Sequence, residues 1–201
     1  MEEMKNTPRR WTAGLALCVL AGSTFAQNAA ANKGNAEDEA GFKQFTARVN
    51  DYLKLHKAVE KEIPAAKKKE ESPEMITAQQ QMLARKLRER RPQAKVGDIF
   101  THESREAFRH VIKTVFHDPK TGTATATKHS TDRQRRTAKL VRLRVNGNYP
   151  DADAETTFPP ALLQKLPALP DELAYRIVGR DLVLVDWRAN MVVDLLHEVI
   201  P

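Results

Sequence analysis

The chain has one cysteine in 201 residues, Cys18, and it lies inside an N-terminal apolar run. Without that run the remainder is thiol-free, which excludes disulfides, thiol nucleophiles and thiolate metal sites. Glycine is scarce too, at 8 residues. No Gly-x-Gly-x-x-Gly or Gly-x-x-x-x-Gly-Lys-Ser/Thr run occurs, so backbone phosphate cradles of the usual kinds are excluded. Aromatic residues make up 6% of the chain and do not interleave with the basic stretch 85–91, so a stacking platform for nucleic acid is not expected. Past residue 26 no apolar run reaches the roughly 17–25 residues that a bilayer span needs.

The N-terminus is informative. Lys5, Arg9 and Arg10 precede an apolar stretch from Trp11, which ends in Ser23-Thr24-Phe25-Ala26. A basic start, a short apolar core and small residues before a polar break predict a signal peptide over 1–26, cleaved after Ala26, and hence a periplasmic or secreted product. Leu17 stands before Cys18 where a lipoprotein signal wants a small residue, so lipidation is not expected. The whole chain has 33 Lys+Arg against 26 Asp+Glu; removing the three bases and two acids of residues 1–26 leaves 30 against 24, an excess of +6. Such a balance favours anionic neighbours in the envelope and keeps a protein soluble.

An alanine-, asparagine- and charge-rich segment, 27–40, reads as a disordered leader. Phe42, Phe45, Val49, Tyr52, His56, Val59 and Ile63 then recur at intervals of three and four, one stripe of a helix that Pro64 stops. Ser72-Pro73-Glu74 supplies a cap, a first-turn proline and an acid for a second helix reaching Arg91, with Met75, Ile76, Met82, Leu83 and Leu87 on one side. Together they predict a helical hairpin over 41–91, the basic run 85–91 forming its solvated end. The rest, 92–201, reads as an α+β domain. Thr101 caps a third helix carrying Phe108, Val111, Ile112, Val115 and Phe116, which Asp118-Pro119 ends.

The segment 120–137 is polar and threonine-rich, a loop or an edge hairpin. Over 140–145, Val141, Leu143 and Val145 alternate with Arg142 and Arg144, as in an amphipathic strand. Pro159-Pro160 starts a short helix that Pro167 closes. The C-terminal residues predict a three-stranded antiparallel meander with turns at Gly179-Arg180-Asp181 and Arg188-Ala189-Asn190, Asn190 suiting a left-handed position. Its middle strand, 182–185, is apolar on both faces, so each face must be covered. The expected fold is therefore α+β, with N-terminal helices followed by a small antiparallel sheet.

Candidate chemistry is sparse. Asp118-Pro119-Lys120-Thr121-Gly122-Thr123 resembles the phosphorylated-aspartate motif of P-type ATPases, but Pro119 interrupts it, and helix-end chemistry is the expectation. His110 and His117 are seven apart with no further ligands around them, so no metal site is assigned. Ser104 near His102 lacks a nucleophile elbow. Asp181, Asp186 and Asp194 are expected to satisfy turns or to pair with Arg176, Arg180 and Arg188; a paired-carboxylate site is the alternative. Arg142, Arg144, Arg176, Arg180 and Arg188 are the candidate surface for an anion or a partner, because guanidinium forks match carboxylate and phosphate.

Three stretches, Arg91-Pro92-Gln93-Ala94-Lys95-Val96-Gly97-Asp98-Ile99-Phe100-Thr101, Leu143-Arg144-Val145-Asn146, and Phe158-Pro159-Pro160 through Asp194, resemble an uncharacterised family of secreted bacterial proteins of the acidobacterial type. That resemblance implies export and no particular activity. The stretch from Tyr175-Arg176 through Asp181-Leu182-Val183-Leu184-Val185-Asp186 is similar to the tail of small periplasmic proteins linked to nickel and cobalt homeostasis. Their histidine- and glycine-rich leaders have no counterpart here, and Asn190 replaces their usual turn glycine, so only the β-rich tail is carried over.

These readings converge on a non-catalytic, exported accessory or binding protein of the bacterial cell envelope, with no cofactor, whose partner is an envelope protein or an anionic envelope component. A periplasmic metal- or anion-binding protein is the alternative, and a small secreted hydrolase, needing a pocket that joins Asp186 or Asp194 to a histidine, is the third.

Overall fold

A computed structural model of the chain describes residues 23–64, 72–121, 143–149 and 158–201. The expected signal residues 1–22, Arg142 and most of 120–137 lie outside them. The chain divides into two compact units, Met1–Gly34 and Asn35–Pro201, and the second holds the core. It is an α+β fold: α1 (Ser23–Glu60), α2 (Pro73–Arg90) and α3 (His102–His117), a short α4 (Pro160–Leu163), then β1 (Leu173–Val178), β2 (Asp181–Asp186) and β3 (Met191–Leu196). The strands form one antiparallel sheet in the order β1-β2-β3. No helix among the described residues is long and apolar enough to cross a membrane.

The α1 stripe packs as its spacing requires. Phe45, Val49, Tyr52, His56 and Val59 are buried, with Phe42 and Ile63 half-buried at the ends. The helix also continues back through 27–40, where the sequence suggested disorder. Alanine at positions 29, 30, 31, 36 and 40 favours helix strongly enough to extend an existing one. Gly41 is part of that extension because α3 leaves no room for a side chain. A Cβ there would meet the Glu103 carbonyl oxygen at 2.7 Å and the Ala107 Cβ at 2.8 Å. Alanine in a helix ordinarily gains up to about 1 kcal/mol over glycine. Overpacking costs about 1–3 kcal/mol, so Gly41→Val, with a bulkier side chain and poorer propensity than alanine, should lower the unfolding free energy by about 2 kcal/mol in urea denaturation.

Ser72 caps α2 through a bond from the Met75 N–H, and Thr101 caps α3 through one from the Ser104 N–H. The apolar side of α2 differs from expectation: Leu83, Ala84 and Leu87 are buried, whereas Met75 and Ile76 in its first turn are exposed. The basic end of α2 is not a solvated terminus either. Lys86 and Arg90 both bind Glu62, at 3.0 and 2.5 Å, and Arg88 donates to the Asn146 carbonyl at 2.7 Å. Three charges that look like a surface run fasten α2 to the end of α1 and to the loop beside the sheet.

Both faces of β2 are covered. Leu182 and Leu184, with Leu173, Tyr175, Ile177, Met191, Val193 and Leu196, join the helices in the main core. Val183 and Val185, with Val192 and Leu195, face a second cluster closed by Tyr149, Leu143 and Val145. The segment 143–149 is not the regular strand that alternation over 140–145 predicts. Asn146 adopts a positive φ of 63° and turns the chain; its N–H donates to the Val192 carbonyl at 2.8 Å, and an Asn148–Met191 bridge continues the contact with β3. Gly179, at φ 62°, and Asn190, at φ 45°, take the left-handed turn positions read from the sequence.

One irregularity organises the rest. Along β2 and β3, Leu184 opposes Asp194 but Val185 opposes Val192, so β3 carries an extra residue, Val193, in a bulge. Parity therefore reverses, and Asp194 shares the face of Leu184, toward the helices. Asp186, opposite Met191, lies on that face as well.

Candidate functional site

Two carboxylates consequently stand, fully buried, between the sheet and the helical layer. Asp186 Oδ2 accepts the Tyr52 hydroxyl and binds His56 Nδ1, each at 2.6 Å, and its Oδ1 accepts the Ala189 N–H at 2.9 Å. Tyr52 and His56 are four apart on α1, so one aspartate holds a full turn of that helix. Among the described residues Asp194 has no side-chain partner. Its oxygens accept the backbone N–H groups of Gly97 at 3.0 Å and of Ile99, Phe100 and Leu195 at 2.8 Å. Gly97, at φ 94°, gives the α2–α3 loop the backbone shape that aims these donors.

Burial alone lowers the pKa of His56, but the hydrogen bond and charge of Asp186, with Glu60 and Glu172 adding, outweigh it and hold the group above its ordinary value. Nε2 is buried without a hydrogen-bond partner, and its nearest acid is Glu60 at 3.9 Å. Burial, then the charge of Asp186, raises the Tyr52 phenol well above its usual range, so it remains a donor. Burial also raises the Asp194 carboxyl, against four backbone donors that pull it down.

An imidazole oriented by a carboxylate is the arrangement a hydrolase would need, and Asp186 with His56 provides it. However, both side chains are at 0% exposure, so the pair faces no open pocket. The three meander aspartates do not cluster. Asp181 sits at the far end of β2, where its oxygens bind His197 Nδ1 at 3.1 Å and the Glu198 N–H at 2.9 Å. Their partners are turn amides, histidines and a tyrosine, not Arg176, Arg180 or Arg188. Asp186 satisfies the second turn through the Ala189 N–H, one of the two anticipated roles, while pairing with arginine does not occur among the described residues because α1, the α2–α3 loop and the C-terminal residues supply nearer groups.

The anticipated arginine surface is dispersed. Arg144 is exposed on the 143–149 segment, and Arg176 is half-buried on β1, donating to the Tyr175 carbonyl at 3.2 Å. Arg180 donates to the Ile200 carbonyl at 2.9 Å, while Arg188 lies over the Trp187 ring at 5.2 Å. Arg180 and Arg188 occupy the two turns at opposite ends of β2, some six strand residues apart, too far for one small anion to meet both. His110 binds Asp38 at 2.6 Å and His117 Nδ1 donates to the Lys113 carbonyl at 2.7 Å. Asp118 caps the C-terminus of α3 and its Oδ1 accepts the Lys120 N–H at 2.9 Å, so residues 118–121 of the ATPase-like run form a helix end and a 3-10 turn; 122 and 123 lie outside the described residues.

An open groove lies beside Trp187. This residue is 47% exposed, and Ile76 on α2 is 48% exposed. With Glu60, Ile63, Gln80 and Arg188 they line a groove of about 310 Å³. Gln80 donates to the Trp187 backbone carbonyl at 3.3 Å and the indole N–H donates to the Asp171 carbonyl, so the residue is held at its backbone and at the ring nitrogen. Trp187 is not among the residues that motifs or periodicity single out in the sequence. A lone tryptophan in a hairpin turn, where apolar side chains rarely gain by burial, was the available signal. No protein-family model matches the chain, and no curated protein or solved structure is significantly similar to it.

Proposed function

We propose that the protein is a non-catalytic, exported accessory protein of the bacterial cell envelope that binds another envelope protein through the Trp187 groove. The observation carrying this reading is an exposed, oriented tryptophan beside an exposed isoleucine, in a molecule whose aspartates and His56 are occupied internally. Tryptophan and arginine dominate the centres of protein interfaces, and Trp187 and Arg188 stand together at this rim. The basic start, short apolar run and small residues of 1–26 support export.

The experiment uses protein processed after Ala26, in which Trp187 is the sole indole. Titration with fractionated envelope proteins should blue-shift its fluorescence. Trp187→Ala and Ile76→Asp should each weaken capture of the same component at least about tenfold, as expected for an interface anchor. Capture that both substitutions leave unchanged contradicts the reading, as does turnover of a substrate by the purified protein.

A further inference from the structure

We infer that a second, independent cleft, between Arg48 and Arg91, binds a singly charged carboxylate. Arg91 is the C-cap of α2, and its backbone is pinned: the N–H donates to Leu87 at 3.0 Å, and the carbonyl accepts from Ala94 N–H at 3.1 Å and Asn146 Nδ2 at 2.8 Å. The guanidinium lies 5.0 Å from the centre of the Tyr52 ring, and Tyr52 is itself fixed by its bond to Asp186. Nη1 of Arg91 is buried with no hydrogen-bond partner among the described residues. An atom closed to solvent does not itself meet a ligand, so an acceptor entering the cleft is held by the part of the guanidinium that lines it, a fixed cation with further donors.

Arg91 lines a cleft of about 400 Å³ with Arg48, Asp51, Tyr52, Asp98 and Ile99. Arg48 is exposed one turn before Tyr52 on α1 and has no ion pair among the described residues. The two acids are engaged: Asp51 binds Lys54 at 3.0 Å and Asp98 accepts the Lys95 N–H at 3.0 Å. They nevertheless choose the ligand. A dianion such as phosphate meets two carboxylates as well as two guanidinium groups, whereas one carboxylate matches the forks without that repulsion. Tyr52 and Ile99 offer an apolar wall for the atoms that carry it.

The test is side-chain NMR of the full chain, following the Arg91 Nε–H during titration with acetate, with N-acetyl-alanylalanine, with its C-terminal amide, and with inorganic phosphate. Acetate or the dipeptide acid should shift that resonance with a Kd near 1 mM, about the strength of one bidentate pair at a partly open site. Binding of both assigns free carboxylates, and binding of the dipeptide alone assigns a peptide terminus; either supports the cleft. Arg48→Gln, at an exposed position, should weaken binding about tenfold, and Arg91→Gln should abolish it. Trp187→Ala should leave it unchanged, which separates this site from the groove. No shift by about 50 mM acetate or dipeptide acid, equal binding of the dipeptide amide, or phosphate binding as tight as acetate overturns the proposal.

Discussion

Asp194→Ala should lower the free energy of unfolding by about 4–6 kcal/mol, enough to unfold a domain whose stability lies near the lower end of the usual range. The magnitude follows from what the carboxylate holds. Four backbone N–H groups lose their acceptor, and three of them, in Gly97, Ile99 and Phe100, belong to one loop. Each buried donor left unsatisfied costs about 1–3 kcal/mol, less what water recovers on entering the gap. Asp194→Asn retains one acceptor oxygen but places an NH₂ against the remaining donors, so about 2–3 kcal/mol should be lost. Urea denaturation followed by circular dichroism measures both. A loss under about 1 kcal/mol for the alanine variant would mean that the loop finds other partners.

Asp186→Asn should cost about 3–5 kcal/mol, because it removes one member of a buried ion pair and leaves the other behind. It should also change the sign of a pH dependence. In the native protein the His56 pKa is raised. Its contribution to stability is then complete below the unfolded value, near pH 6.5, and is lost as pH rises through the higher folded value. With asparagine at 186 the carboxylate charge is gone, and burial, the largest influence on His56, is opposed only by the weaker charges of Glu60 and Glu172, so its pKa should fall. Stability through the same window should then increase with pH. Unfolding free energies measured between about pH 5.5 and 8.5 decide the matter, and two curves of the same slope would remove the imidazolium from the account.

How far the sequence reveals this arrangement depends on the range of each interaction. The stripe from Phe42 to Ile63, the α3 face around Phe108 and Ile112, and the left-handed Asn190 turn are local patterns, and each reappears in the fold. The two-sided apolar run of β2 likewise announces cover on both faces. The carboxylate clamps are not local. Asp186 reaches 134 residues back to Tyr52, and Asp194 reaches 95 back to Ile99.

Asp194 is further concealed by the bulge, because a strict alternation through Met191–Leu196 assigns it to the wrong face. His56 sat visibly on the apolar stripe and reads as a packing residue until its partner is known. The exposed start of α2 and the fastening of its basic end fail for the same reason. Whether Ile76 is covered, or Arg88 free, depends on where Trp187 and Asn146 arrive.

The same clamps bear on function. By binding α1 and the α2–α3 loop to one sheet face, Asp186 and Asp194 hold α2 where Ile76 meets Trp187 and Arg91 covers Tyr52. Both proposed surfaces therefore depend on side chains that touch no ligand. Loss of either clamp should impair binding at both surfaces together, whereas Trp187→Ala and Arg48→Gln should each impair one.

Amide hydrogen exchange at Gly97, Ile99 and Phe100 tests the docking of the helical layer most directly. Loop amides between helices ordinarily open locally, well below the global unfolding free energy. If Asp194 holds them as described, they should exchange only through global unfolding, with the same free energy as the amide of Leu184 in the middle of β2. Opening free energies several kcal/mol below that of Leu184 would contradict the account.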